Sequence, residues 1–399
     1  MLIAKDQKNC YVSLLTLSDG ELQRYREKIL FCPCCSARVF LKAGKIKMPH
    51  FAHVPHTVCH AASEGETEEH LLGKKLLYEW LERQGYQPEL EKYFLQIKQR
   101  ADIFVQHDGK DYAIEYQCAV ISPEEIKKRT KSYMYHGITP IWILSNRHLK
   151  WKKRNTFMLS VFQWTASFGT DLLPKLIAFS PEKSQVTILH QLTPFSERTV
   201  SAYPQIVYLH KLSFSELIND QAVYPFQKSF WLQKKQSWRM FANNYATVNQ
   251  PFFRALYTAG FSPATIPNEC GIPVPYMHMY QSSAVLWQFL LFDLVLRDKC
   301  VGDFVRLSEW RSALIRCLKE EKIILRHHAC IRTNPFLPME QYICMLVKMN
   351  VLKVAEGGHI YANPIEKFNS ASTEKEEEFY EDVKRFYEEL MERAKEKLD

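Results

Sequence analysis

Apolar positions along this chain follow two rhythms, and the change between them marks out the elements. Ala101–Val105 and Tyr112–Tyr116 are β-rich runs on either side of the polar turn His107-Asp108-Gly109-Lys110. That is the pattern of a hairpin closed on Asp-Gly. Upstream, Leu71, Leu72, Leu76, Leu77, Trp80 and Leu81 recur at three-to-four spacing, which predicts a helix over 63–84 stopped by Gly85. Gln87–Ile97 reads as a strand with Glu89 and Glu91 on one side. Downstream, Ser122 is a good N-cap and Pro123 a good first residue for a helix over Pro123–Tyr135, closed by Gly137. Pro140–Leu144 is a fully apolar strand. The order helix, strand, strand, strand, helix, strand is that of an α/β mixed sheet with helices on its faces.

The flanks are plainer. Tyr11–Leu17 and the segment from Val39 to Lys45 read as strands. Leu176–Phe179 and Gln185–His190 suggest a hairpin extending the sheet, and Val200–His210 a further strand or an irregular run. From Ser213 the spacing becomes helical over Ser213–Asn219, Tyr224–Lys234, Ser237–Ala246 and Phe252–Ala259. The run Ala284–Leu296 is short and carries Asp293, so it predicts a buried helix and not a membrane span. Pro338–Met349, Val351–Val354 and His359–Tyr361, around Gly357-Gly358, read as helix, strand, turn, strand. A recognition helix with a small wing fits this, and so does any helix-hairpin edge. After Pro364 a charged helix carries Phe379, Val383, Phe386, Leu390 and Ala394 on one stripe. These shifts divide the chain into 1–61, 62–155, 156–365 and 366–399.

Composition changes this picture only slightly. At 399 residues the chain is long for one core, and 46% hydrophobic with 24% charged residues is ordinary for a globular protein. A formal charge of +8 is compatible with nucleic acid without establishing it. The opening MLIAKDQKNC has no apolar signal core, and eleven cysteines without such a signal predict reduced thiols and metal ligation in a cytoplasmic protein. No G-x-x-x-x-G-K-[ST] occurs, so ATP-driven chemistry is not indicated.

Two constellations carry candidate chemistry. Cys32-x2-Cys35 and His50-x2-His53 are separated by fourteen residues and suit one tetrahedral, structural Zn²⁺. Cys34, His56, Cys59 and His60 lie close enough along the chain to replace any of the four. In the hairpin, Glu115 and Gln117 point the same way along one strand and Asp102 enters the other. Oxygen donors of this kind suit Mg²⁺ or Mn²⁺, although a solvated strand face has the same spacing. Glu66, His70 and Lys74 form a polar stripe on the preceding helix. A third stretch, 225–241, interleaves Lys228, Lys234, Lys235 and Arg239 with Phe226, Phe230, Trp231, Trp238 and Phe241. Such a run can hold nucleic acid, but it more commonly packs a core.

Together, the acidic helix, Glu91, Arg-Ala-Asp at 100–102 and Glu-Tyr-Gln at 115–117 before a basic helix resemble the PD-(D/E)XK nuclease superfamily. CPCC with HFAH, GETEEHLLGKK (65–75), RADIFV, AIEYQ, Arg129-Thr130 with Tyr133, and ITPIWIL (138–144) resemble, in that order, the CoiA family of competence proteins. The resemblance implies a restriction-endonuclease-like α/β core, a zinc-finger-like N-terminal module and a mainly helical C-terminal region. It implies a cytoplasmic role with incoming single-stranded or branched DNA in RecA-dependent recombination. Asp102 and Glu115 would hold the catalytic cation, with Glu91 and Glu66 in support. Gln117 would orient water, and His70, Lys74, Arg100, Arg129 and Tyr133 would contact phosphate or brace the site. One departure stands out: the superfamily motif ends in lysine where this chain has Gln117. A carboxamide orients water but is no base. A non-catalytic factor that holds single-stranded DNA and recruits RecA is the alternative.

Overall fold

A computed structural model describes residues 1–44, 47–59, 66–219, 222–245, 251–300, 302–354, 359–362 and 373–396. Strands β1 (Ile3–Lys5), β2 (Tyr11–Ser13), β3 (Leu30–Phe31), β4 (Arg38–Lys42) and β5 (His50–His53) form a small sheet in the order β2-β1-β3-β4-β5. Helix α1 (Asp19–Tyr25) follows β2.

Helix α2 (Glu68–Arg83) starts where the Thr67 side chain accepts the His70 amide, with Glu68 and Glu69 in its first turn suiting the positive end of the dipole. The start expected at 63–65 lies outside the described residues. Leu71, Leu77, Trp80 and Leu81 of α2 are buried with Ile103, Val105, Ile114 and Tyr116 of the sheet. Burying each large apolar side chain contributes roughly 1.5–3 kcal/mol. The close approach is made at Gly73, where an added Cβ would lie 2.1 Å from the Tyr116 ring. Gly73→Ala is therefore expected to destabilise the protein by about 1–2 kcal/mol, the overpacking cost less the gain in helix propensity. A urea melt checks this, and an unchanged midpoint would show that Tyr116 yields freely.

The strand expected over 87–97 is broken. Glu91 has φ +52°, and β6 (Glu89–Leu90) and β7 (Tyr93–Phe94) part there, β6 pairing with the main sheet and β7 with β8 (Gln99–Arg100). The kink also ends the alternation that would have put Glu89 beside Glu91: Glu89 is exposed and Glu91 is buried. The hairpin forms as β9 (Ile103–His107) and β10 (Lys110–Gln117), with positive φ at Asp108 and Gly109, as a two-residue hairpin turn requires. Helix α3 (Pro123–Tyr135) has the expected Ser122 cap, and β11 (Ile138–Ser145) then pairs parallel with β10.

The sheet continues through β12 (Lys150–Lys153) and β13 (Thr156–Met158), helix α4 (Val161–Thr165), β14 (Phe168–Gly169), β15 (Pro174–Ser180), β16 (Gln185–Pro194) and β17 (Thr199–Tyr208). Its order is β12-β13-β17-β16-β15-β11-β10-β9-β6, with β14 against β15. The core sheet thus runs well past residue 155. A seam closes it: the Trp80 indole donates to the Leu212 carbonyl at 2.6 Å, and the Phe214 amide donates to the Gln84 side chain at 2.8 Å.

Beyond α5 (Phe214–Asn219) the chain is mainly helical: α6 (Lys228–Tyr245), α7 (Pro251–Thr258), α8 (Ala284–Leu296), then β18 (Phe304–Arg306), α9 (Leu307–Lys319), α10 (Leu337–Lys348), β19 (Leu352–Val354), β20 (His359–Ala362) and α11 (Thr373–Lys395). The helices expected over 224–234 and 237–246 are one. Phe226 and Trp231 sit in its core, and Lys228 and Arg239 pair with Glu381 and Glu376 of α11. The aromatic-basic run is thus largely committed to docking α11. The strands β18, β20 and β19 form a three-stranded sheet, as a wing would, while the turn at 355–358 lies outside the described residues. However, α10 buries Pro338, Met339, Tyr342, Ile343, Met345 and Leu346, and Lys348 pairs with Glu389 of α11. Its face is not free to enter a groove. Among the described residues, no helix is long and apolar enough to cross a membrane.

Candidate functional site

The turn at 32–36 and strand β5 bring soft ligands together. Cys32, Cys35, His53 and Cys59 offer one ligand atom each, all within 4.8 Å of one another, and Cys35 Sγ lies 3.4 Å from His53 Nε2. A tetrahedral ion with Zn–S bonds of about 2.3 Å has ligand–ligand edges of roughly 3.8 Å, so a small contraction would seat zinc. The Cys34 side chain and the chain amides of Cys34 and Cys35 outweigh burial and lower the Cys32 thiol, which favours the thiolate that a metal needs. Ser36, at φ +55°, occupies the left-handed position that closes this turn.

His50 is not in this cluster, contrary to the spacing argument. Side chains alternate along a strand, so His50 and His53, three apart on β5, face opposite ways. Phe51, on the same side as His53, is buried in the core, while His50 Nδ1 meets the Met48 carbonyl at 3.0 Å. Cys59 takes the fourth place, Cys34 and His56 stay out, and His60 lies outside the described residues. His50 instead lines a cavity of about 570 Å³ with Lys42, Lys47, Glu66 and Thr67.

The second centre lies at the end of the β9–β10 hairpin. The register pairs Ile114 with Ile103, so one step further sets Glu115 opposite Asp102. Asp102 Oδ2 accepts the Tyr116 amide at 2.9 Å and contacts His70 Nε2 at 3.1 Å. Glu115 Oε1 accepts from Tyr133 and Arg129 of α3, both at 2.6 Å. Burial alone would raise the Asp102 carboxyl, but His70 and Lys74 outweigh it and hold it well below the ordinary carboxylate range. Glu115 goes the other way: burial, reinforced by the charge of Asp102, pushes it up to about 7 against the pull of Arg129. The second oxygen of each carboxylate, Asp102 Oδ1 and Glu115 Oε2, makes no hydrogen bond among the described residues. The closest cation to Asp102 Oδ1 is Lys74 Nζ, at 4.0 Å.

Glu66 and Glu91 have other partners. Glu91 accepts the amides of Leu2 and Ile3 at 2.9 and 3.2 Å and pairs with the fully buried Lys74. Lys74 also meets Glu66 at 3.0 Å, and Glu66 pairs with Arg100 at 3.0 Å and the Met1 ammonium at 2.8 Å. Burial would lower the Lys74 ammonium, but Glu66, Glu91 and Asp102 raise it, so it stays charged. The stripe Glu66, His70, Lys74 therefore faces the centre, and Glu91 ties it to β1. Gln117 is half-buried and donates its amide to the Ala119 carbonyl at 2.8 Å. Sequence reasoning missed Glu69, which accepts from Tyr116 and Ser145 and pairs with Arg147. Its residue type and its place in the first turn of α2 mark it only as an acid at the positive end of the helix.

Three family models match the chain: "Competence protein CoiA, N-terminal domain" over residues 14–62, "nuclease-like domain" over 66–222 and "C-terminal domain" over 226–374. The Competence protein CoiA of Bacillus subtilis (strain 168) is 30% identical over 336 residues, covering 83% of this chain and 89% of that protein. No solved structure matches the chain.

Proposed function

The chain belongs to the CoiA family of competence proteins, with its nuclease-like domain, and from that premise we propose that it is a divalent-metal-dependent phosphodiesterase acting on DNA during transformation. One observation supports this above the others. Asp102 and Glu115 stand one residue beyond the last hairpin pair, Ile103 with Ile114, close enough for the charge of Asp102 to act on Glu115, and each keeps one oxygen without a hydrogen bond among the described residues. Hard cations such as Mg²⁺ are commonly held by one or two carboxylates plus water, so these oxygens fit Mg²⁺ or Mn²⁺. When bound, the ion supplies Lewis acidity at the scissile phosphate and acidifies water.

The chain's own residues do the rest. His70 and the Tyr116 amide fix the Asp102 carboxylate, while Tyr133 and Arg129 fix that of Glu115. With its amide engaged by Ala119, Gln117 can offer its side-chain oxygen to orient a water. Lys74 and Arg100 balance the buried acids and brace the centre. The cavity lined by Lys42, Lys47 and His50 borders Glu66 and gives phosphates a cationic wall beside it. The test is incubation of the full chain with labelled single-stranded, duplex and branched DNA in Mg²⁺ or Mn²⁺. Metal-dependent cleavage of at least one substrate is expected.

A second reading, a non-catalytic factor that binds single-stranded DNA and recruits RecA, draws on Gln117 in place of lysine and on the Arg129 charge already set against Glu115. Absence of cleavage on all three substrates would favour it.

The Glu115 titration gives a further prediction. Its folded value, about 7, lies above the ordinary 4.5, so its stabilising contribution is complete below pH 4.5 and is lost as pH rises through 7. The loss is on the order of 3 kcal/mol. Asp102 acts oppositely: its contribution is present above 3.8 and is lost as pH falls toward its depressed value. A cation must displace the Glu115 proton, so Mn²⁺ affinity is expected to fall about tenfold per pH unit below 7. Thermal melts with and without Mn²⁺ should show a larger metal-induced rise at pH 7.5 than at pH 5.5. Equal rises at the two pH values would remove Glu115 from the ligand set.

A further inference from the structure

The outermost strand of the large sheet carries a surface that the hairpin centre does not use. β12 reads Lys150-Trp151-Lys152-Lys153, all four residues exposed, and Arg154 follows. Among the described residues it is an edge strand, with β13 on one side and no strand on the other. Among the described residues, none of Lys150, Lys152, Lys153 and Arg154 has a carboxylate partner. Lys234 of α6 is close enough to feel this strand. Burial, and then the charge of Lys153, hold its ammonium below its ordinary value.

Lysines on an edge strand have an ordinary use, which is to stop another chain from adding to the sheet. A bulge between Trp151 and Lys153 serves that end too. Neither device needs an exposed indole. Trp151 is 44% exposed, with its ring 4.9 Å from Phe157 and its Nε1 donating to the Arg154 carbonyl at 3.1 Å. Its one polar atom is already satisfied by the chain, so solvent offers that atom no further partner. An exposed aromatic ring braced by a second ring, on a strand that carries unpaired cations, is how proteins stack an unpaired base while neutralising its phosphates. Duplex DNA keeps its bases stacked inside and cannot use the indole in this way.

We propose that β12 and Arg154 form a second docking surface, for single-stranded nucleic acid, with Trp151 as its stacking platform. It stands six strands from β10 in the sheet, about 29 Å at 4.8 Å per strand, so it is separate from the Asp102–Glu115 centre. A strand held there and at the hairpin would be gripped at two points. The inference rests on the reading that the protein acts on DNA strands.

The test is fluorescence anisotropy of labelled oligo(dT) with the full chain, in salt from about 50 to 200 mM. Trp151→Ala is expected to weaken binding about tenfold, and Trp151→Phe to restore most of it. Lys150→Ala, Lys152→Ala and Lys153→Ala together are expected to lower the salt slope by about two. Duplex binding should change little, and thermal melts of Trp151→Phe and of the triple lysine variant should match the wild type, because the one keeps a ring on Phe157 and the other alters only exposed side chains. Unchanged oligo(dT) binding in both variants would overturn the proposal while leaving the nuclease reading intact. So would a triple variant that loses only binding to phosphatidylserine vesicles, which would assign the surface to a membrane. A wild type that binds neither single strands nor duplex would overturn both readings, whereas cleavage that is indifferent to β12 would overturn this one alone.

Discussion

Asp102→Ala combined with Glu115→Ala is expected to remove metal-dependent DNA cleavage by at least about a thousandfold, while DNA binding falls only slightly. The size follows from where the two carboxylates stand. Each has one oxygen held by protein donors and one left over, and the two leftover oxygens are the hard donors at the hairpin end. Alanine removes both at once. Alanine at 115 alone would also strand the Arg129 guanidinium and the Tyr133 hydroxyl, a cost of about 3–5 kcal/mol for a buried pair. Asp102→Asn with Glu115→Gln is therefore the companion variant. It keeps acceptors for the Tyr116 amide and for Tyr133, removes the charge, and should show the same loss of cleavage with a smaller fall in melting temperature than the alanine pair. Cleavage that survives both double variants would place the chemistry elsewhere.

Cys59→Ser is expected to take bound zinc from one per chain to nearly none, whereas His50→Ala leaves it unchanged. Metal analysis of the purified full chain reads this directly. Zinc retained by Cys59→Ser, or lost by His50→Ala, would contradict the placement of the ligands. The structural effect should be large, because structural zinc in small modules is worth roughly 10–16 kcal/mol of apparent folding energy at neutral pH. It should also travel. β1 belongs to the same sheet as β5, and the Leu2 and Ile3 amides of that segment hold Glu91, which holds Lys74. Chelation should therefore lower cleavage as well as expose the first 60 residues to protease. A zinc-stripped protein with full cleavage would show that the two centres are uncoupled.

Much of the core was legible because its signals are local. Ser122, Pro123 and Gly137 bounded α3 at the observed residues, and Asp108-Gly109 set the hairpin and, through its register, the meeting of Asp102 with Glu115. The Cys/His cluster was legible in Cys32, Cys35 and His53. Short sequence separation suggested His50, but the two-residue period of a strand turned it away, and Cys59 took its place. How Glu91 supports the centre was not legible. Its role depends on a positive φ and on two backbone amides nearly ninety residues earlier, and neither leaves a mark in residue type. The hairpin extending the sheet was legible in Leu176–Phe179 and Gln185–His190, but its place was not, because β15–β17 join through pairings with β11 and β13 that no local pattern announces.

The seam between Trp80 and Leu212 has a consequence for how the chain is made. The N-terminal sheet, α2 and the β9–β10 hairpin all emerge early from a ribosome, yet the apolar end of α2 remains uncovered until residues 209–217 arrive with Leu212, Phe214 and Leu217. Phe214 closes that end by packing edge-on against Trp80, Tyr86, His107 and Tyr112. A nascent chain released or cut near residue 155 would present a bare Trp80 and an open sheet edge to chaperones and proteases. Expression fragments meant to isolate the hairpin centre should therefore end after Asn219, at the close of α5, and not where the strand-helix-strand unit finishes.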